Sequence, residues 1–149
     1  MKLPSAKKPQ EVAVTPFRFE SDLERYLVEH LELLEPGLKL YEGKGKWGIN
    51  YQIGTLRMDI LAVDRKGGLV VIELKSNRGL PSVLGQLLGY MVAIRRGLAK
   101  EGQRVRGFIV CRWAEEHLLW AAAEVPGISV FEFYRGQGWC RVLGEPLEG

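Results

Sequence analysis

Between Ser21 and Leu34 the apolar residues Leu23, Tyr26, Leu27, Leu31 and Leu34 recur at helical spacing, and Pro36-Gly37 follows them. That pattern predicts an amphipathic helix with a defined stop. Short strands are predicted at Leu38–Tyr41 and Gly48–Ile53, split by the glycine-rich turn Gly43-Lys44-Gly45. Two stronger strand candidates follow, Arg57–Val63 and Leu69–Lys75, joined by the turn Asp64-Arg65-Lys66-Gly67-Gly68 as an antiparallel hairpin. Pro81 suits the first turn of a long helix that runs to about Arg96 and ends at Gly97. Val105–Cys111 then reads as a strand, Ala114–Val125 as a helix stopped by Pro126-Gly127, and Ile128–Tyr134 and Trp139–Leu143 as strands around the turn Gly136-Gln137-Gly138. A helix, a strand meander and alternating helices and strands predict an α/β fold with a mixed central β-sheet flanked by helices.

Composition narrows the class. A chain of 149 residues, 46% hydrophobic and 26% charged, fits one globular domain. No apolar run reaches the roughly 18–20 residues of a membrane span, and the start MKLPSAKKPQ lacks the apolar stretch of a secretory signal. Residues 1–16 read as a flexible basic tail, with 17–149 as the folded domain. Only Cys111 and Cys140 are present, which excludes a disulfide scaffold and suits a reducing cytoplasm. The net charge of +3 comes from Lys2, Lys7 and Lys8 in the tail. The body is neutral, but Glu20, Asp22, Glu24, Glu29, Glu32 and Glu35 cluster early, and Arg95, Arg96, Lys100, Arg104, Arg106 and Arg112 cluster late. Such segregation fits either a basic groove or two solvated faces of opposite sign.

Three residues interrupt this pattern. Leu69-Val70-Val71-Ile72-Glu73-Leu74-Lys75 is apolar on both faces, as a buried central strand is. Glu73 and Lys75, two apart, nevertheless point to one face. Asp59 likewise breaks the apolar run Met58–Val63 on the preceding strand. Burying a charge costs several kcal/mol, roughly, unless it is paired or bound to a metal. Because the hairpin sets the two strands side by side, Asp59 and Glu73 can converge. Two carboxylates beside a lysine suit phosphodiester hydrolysis assisted by magnesium or manganese, since hard oxygen ligands hold those ions and a lysine offsets developing charge. The structural alternative is a plain Glu73–Lys75 ion pair.

Other positions can serve the same chemistry. Glu20, just before the first helix, and Glu24 both project near its apolar stripe, so either can aim a carboxylate at the site. Acids near a helix N-terminus are also favoured without any ligand. On the second helix Gln86 and Tyr90 share a face, and Gly85 and Gly89 are spaced to allow close approach to the sheet. Lys44, Lys46, Trp47 and Arg57 around the glycine-rich turn, with Arg78 after Lys75, are candidate nucleic-acid contacts. A solvated loop with a half-buried tryptophan is the competing reading. Trp113, Trp120 and Trp139 are expected in core or interface packing, His30 and His117 in structural roles, and the cysteines as small core residues.

Asp59 followed by Glu73-Leu74-Lys75 resembles the D…(D/E)-x-K core of the PD-(D/E)XK nuclease superfamily. Gln86-Leu87 with Tyr90 is similar to the Q-L-x-x-Y motif of its RecB-like members, and Glu20 to their helix-borne glutamate. More narrowly, Ser21–Leu38, Arg57–Asp64, Gly68–Lys75 and Val105–Val110 resemble the catalytic domain of NucS/EndoMS endonucleases. Met58 stands where the name-giving proline would be. The resemblance implies a restriction-endonuclease-like core, α-βββ-α-β-α-β, and divalent-metal-dependent cleavage of DNA phosphodiester bonds. Asp59, Glu73 and the Leu74 carbonyl would hold Mg2+ or Mn2+, with Glu20 joining directly or through water. Lys75 would be the catalytic lysine and Gln86 and Tyr90 auxiliary. The expected partner is DNA as single strand, branched or mismatched duplex, in repair, recombination or restriction. NucS-type enzymes also carry an N-terminal DNA-binding and dimerising domain, where this chain has its short tail. A homodimer, or a partner supplying that domain, is therefore an open form of assembly. The alternative function is a non-catalytic nucleic-acid-binding module or a partner-dependent subunit on the same scaffold.

Overall fold

The computed structural model describes residues 20–43, 45–134 and 138–148. The segment 1–16 predicted as a tail, Lys44, and Gly136 and Gln137 of the predicted turn Gly136-Gln137-Gly138 lie outside them. Helix α1 (Glu20–Glu29) leads into a 3-10 turn (Leu31–Leu33) and a run of short strands, β1 (Lys39–Leu40), β2 (Glu42–Gly43), β3 (Lys46–Trp47) and β4 (Ile49–Ile53). The long pair β5 (Leu56–Val63) and β6 (Leu69–Gly79) comes next, then α2 (Ser82–Gly97), β7 (Val105–Ala114), α3 (Glu116–Ala123), β8 (Ile128–Tyr134) and β9 (Gly138–Leu143).

The main sheet has the order β1-β5-β6-β7-β8-β9, with β4 also paired to β5, while β2 and β3 form a separate ribbon. β5 runs antiparallel to β6, as the short turn between them requires. β6, β7 and β8 are parallel because α2 and α3 cross between them, and β9 returns antiparallel to β8. This is the expected mixed sheet, and both its faces are covered. On one face Leu23, Leu27, Leu31 and Leu34 pack on Ile60, Ala62, Val70, Ile72, Leu74, Phe108 and Phe131. On the other, Leu84, Leu87, Met91, Ile94 and Leu118 pack on Leu61, Leu69, Val71, Ile109 and Cys111. Burial on both faces explains why β6 reads as an unbroken apolar run.

Three expectations are corrected. The first helix does not reach Leu34: the α-helix ends at Glu29, where His30 Nδ1 meets the Tyr26 carbonyl at 2.7 Å, and the stripe continues through the 3-10 turn. The third helix is shorter at both ends than 114–125, because Ala114 belongs to β7. Gly85 and Gly89 face solvent, and a Cβ on either would meet nothing within 4 Å. The close approach of α2 to the sheet is made by Gly107 on β7, where a Cβ would stand 2.5 Å from Met91 Sδ and 2.9 Å from Leu87 Cδ2. None of the helices in the described residues is long and apolar enough to cross a membrane.

Candidate active site

β5 and β6 pair from Val63↔Leu69 through Ile60↔Ile72, one rung short of Asp59 and Glu73. Where that pairing stops, the Asp59 carboxylate replaces it: Asp59 Oδ2 accepts the Leu74 N–H at 2.8 Å. Glu73 follows Leu69 and Val71 on the α2 side of β6 and is only 3% exposed. Burial and the adjacent Asp59 carboxylate push its carboxyl up to about 8, against the opposing pull of Lys75. Lys75 Nζ stands 3.9 Å from Glu73 Oε2, too far for a tight ion pair, and Glu73 Oε1 is buried with no hydrogen-bond partner. An acid left half-satisfied at this depth is costly. The Glu73–Lys75 pair alone therefore does not account for the site.

A further carboxylate reaches Asp59 from α1. Burial and the Asp59 charge raise the Glu24 carboxyl, while Arg57 and a hydrogen bond from Asn50 Nδ2 at 3.0 Å lower it. Asn50 sits at φ 48°, a left-handed conformation that asparagine tolerates better than most residues. That conformation was not legible in the sequence. An asparagine inside the strand pattern Ile49-Asn50-Tyr51 was the available signal, since asparagine is depleted in strands. Glu20 opens α1 one turn earlier, and its side chain lies outside the described part of the structure.

Gln86 and Tyr90 are on α2, whose apolar side packs on the face of β6 that carries Glu73 and Lys75. Gln86 Nε2 donates to Tyr90 OH at 3.0 Å, so the predicted pair is joined to itself, with Gln86 exposed. Of the predicted nucleic-acid contacts, Arg57 is exposed beside Glu24, and Lys46 lies 5.7 Å from the Tyr51 ring centre. Trp47 is 60% exposed rather than half-buried. Arg78 is exposed at the far end of β6.

Of the tryptophans expected in core or interface packing, two are outside the core: Trp113 is 54% and Trp120 44% exposed. Trp139 does pack, at 5.4 Å from Phe133 and 6.0 Å from Tyr26. Cys111 is fully buried, and burial lifts its thiol to about 12, so it is an inert core residue. The acidic and basic segments are not simply two solvated faces. Arg106 is buried and holds Glu35 through Nη1 at 2.9 Å and Nη2 at 2.6 Å, and Asp64 at 2.9 Å. This network lies at the opposite end of β5 and β6 from the carboxylate site.

Residues 19–119 match the family model "Endonuclease NucS C-terminal domain". The chain is 31% identical over 103 residues to endonuclease NucS of Methanopyrus kandleri, covering 69% of this chain and 36% of that protein. It is 33% identical over 106 residues to endonuclease NucS of Thermococcus kodakarensis, covering 70% and 37%. The chain thus spans about a third of the length of the curated relatives it matches. A repair endonuclease from Pyrococcus abyssi superimposes with a TM-score of 0.66 at 20% identity, over 83% of this chain and 50% of that one. A structure described as an EndoMS-dsDNA2 complex gives 0.61 at 27% identity, over 80% and 45%. The match over two thirds of the sequence and the shared mixed sheet place this chain in the endonuclease NucS C-terminal domain family.

Proposed function

We propose that this domain is a divalent-metal-dependent DNA nuclease of the PD-(D/E)XK type. The observation that carries the reading is Glu73: a buried carboxyl beside a second carboxylate, with one oxygen lacking any partner. Among the described residues no three His, Cys, Asp or Glu side chains gather as a ready-made metal cage. Asp59, Glu73 and the Leu74 carbonyl would hold the ion, with Glu20 or Glu24 of α1 joining directly or through water. Hard oxygen donors of this kind fit magnesium or manganese and leave room for substrate oxygens. When bound, the ion supplies Lewis-acid polarisation of the scissile phosphodiester.

The chain's own residues account for the rest. Lys75 presents an ammonium at the mouth of the site, where it orients the attacking water and offsets charge growing on the phosphate. Its 3.9 Å separation from Glu73 leaves its donors available for that work. Asp59 is fixed by the Leu74 N–H, so its second oxygen faces the site without a search through rotamers. Gln86 and Tyr90 position substrate from α2, while Lys46, Trp47, Arg57 and Arg78 hold the strand on either side. DNA as the substrate is supported by the family and by the relative solved as an EndoMS-dsDNA2 complex.

The test is cleavage of circular single-stranded DNA, supercoiled duplex, branched and mismatched duplexes, and RNA, each with magnesium, manganese or chelator. Wild-type protein is expected to cut at least one DNA in a metal-dependent way. Glu73→Ala and Lys75→Ala should each lose about 10²-fold or more of that rate. Binding without cutting by folded wild-type protein would replace this reading with a non-catalytic nucleic-acid-binding module.

A further inference from the structure

Past Lys75, β6 and β7 do not end where the apolar pattern ends. The pairing Lys75↔Cys111 is followed by a bulge and then resumes as Arg78↔Trp113 and Gly79↔Ala114. Two features hold this extension in place. The buried Glu132 carboxylate accepts the Ala114 N–H at 2.7 Å, and Gly79 lets β6 pass where a Cβ would stand 2.9 Å from Cys111 Sγ and 3.0 Å from Leu118 Cδ2. The Glu115 N–H then donates to the Gly79 carbonyl at 3.0 Å. The surface built on this base is continuous. The Arg78 guanidinium lies 6.0 Å from the Trp113 ring centre and 4.0 Å from Glu115, which reaches His117 at 3.7 Å, and His117 meets Trp120 edge-on at 5.0 Å.

Two tryptophans at the ends of an exposed, charged strip are a poor fit to a packing role. Each leaves about half of its surface to water, and the charged groups between them break the apolar area that a protein partner would need. Indole faces interleaved with a guanidinium suit nucleobases and phosphates. A base can lie on an indole only when its own face is free, so the strip fits an unpaired strand. Arg78 is three residues beyond Lys75 on the same strand, at most about 10 Å along it even before the bulge shortens the path, so the strip begins on the stretch of β6 that follows the carboxylate site.

We propose that the strip from Trp113 through Arg78 to Trp120 is a track for single-stranded nucleic acid leaving the site, with bases on the indoles and a phosphate at Arg78. This rests on the nuclease reading above. The test is a fluorescence-anisotropy titration of the full chain, in calcium, with a labelled oligothymidylate and a blunt duplex of equal length. Trp113→Ala should weaken oligothymidylate binding about 5- to 100-fold, with Trp113→Phe close to wild type and duplex binding little changed. Trp120→Ala should act in the same direction, and unchanged melting temperatures would show that both variants fold. If both alanine variants hold the single strand as tightly as wild type does, the track is overturned while the nuclease reading stands. Duplex binding by wild-type protein with no single-strand binding would overturn the track in the same way. If wild-type protein holds neither probe, the track is overturned, and the nuclease reading is decided by the cleavage assay above.

Discussion

Between a carboxyl free in water and the Glu73 carboxyl in β6 there is a difference in proton affinity, and that difference sets how stability responds to pH. An unfolded glutamate titrates near about 4.3, whereas burial and Asp59 push Glu73 up to about 8 in the fold. The folded state therefore holds the proton more tightly. The contribution is fully present below the unfolded value and is lost as pH rises through about 8. Metal-free protein should melt at progressively lower temperature as pH is raised across that window, and Glu73→Gln should flatten the slope. If the site takes a metal as proposed, manganese should restore stability at the alkaline end, because a ligand of the folded carboxylates alone favours the folded state. Parallel melting curves for wild type and Glu73→Gln, measured against pH by calorimetry, would show that Glu73 is not the buried acid described here. At this scale the sequence is informative where a charge breaks an apolar run, as Asp59, Glu73 and Lys75 do. For Asn50 it offers only an asparagine inside a strand pattern, because the left-handed backbone and the hydrogen bond to Glu24 depend on how β4 lies against α1.

At the level of elements, hydrophobic period located every major helix and strand and misjudged how they end and where they touch. Period reports which face of an element is apolar. It does not report which element supplies the space for a close crossing. Gly85 and Gly89, four apart on α2, were natural candidates for that crossing, yet they face solvent and Gly107 on β7 provides it. The two sites predict opposite responses to the same substitution. Gly107→Ala drives a methyl into Met91 and Leu87, and overpacking of that kind costs about 1–3 kcal/mol. Gly89→Ala adds a methyl in open space within a helix and should stabilise by about 0.5–1 kcal/mol. Urea titrations of the two variants decide the matter: destabilisation by Gly89→Ala would put α2 in a different rotation about its axis. The ends of β6 and β7 escaped the pattern for a related reason. Residues 76–79 and 112–114 continue the ladder through a bulge, a glycine and the Glu132 carboxylate, none of which carries an apolar signature.

Across the whole molecule, the two ends of the sheet have opposite electrostatic character. One end holds carboxylates that repel each other around Glu73; the other holds carboxylates neutralised by buried arginine. Burial alone would raise Glu35, but its hydrogen bonds and charge pairing with Arg106 outweigh that and hold its carboxyl below the ordinary value. Arg106 also takes Asp64, and Arg141 lies 3.5 Å from Glu35 and donates to Ser129 Oγ at 2.5 Å. The Leu147 N–H reaches Glu35 at 3.3 Å, and Arg65 holds the Leu147 and Glu148 carbonyls, so the last described residues are fastened to the same network. This division predicts separable effects. Arg106→Leu strands two buried acids, a loss of about 3–5 kcal/mol. Arg141→Met, which leaves the Arg106 pairs in place, should cost less. Because the network sits far from Asp59 and Glu73, the rise in melting temperature on adding manganese should be the same in Arg141→Met as in wild type, although both transitions start lower. An equal metal increment would identify the arginine end as the part that holds the domain together and the carboxylate end as the part kept unsatisfied for its ligand. A metal increment that shrinks along with stability would mean that the two ends are coupled through β5 and β6 and cannot be assigned separate roles.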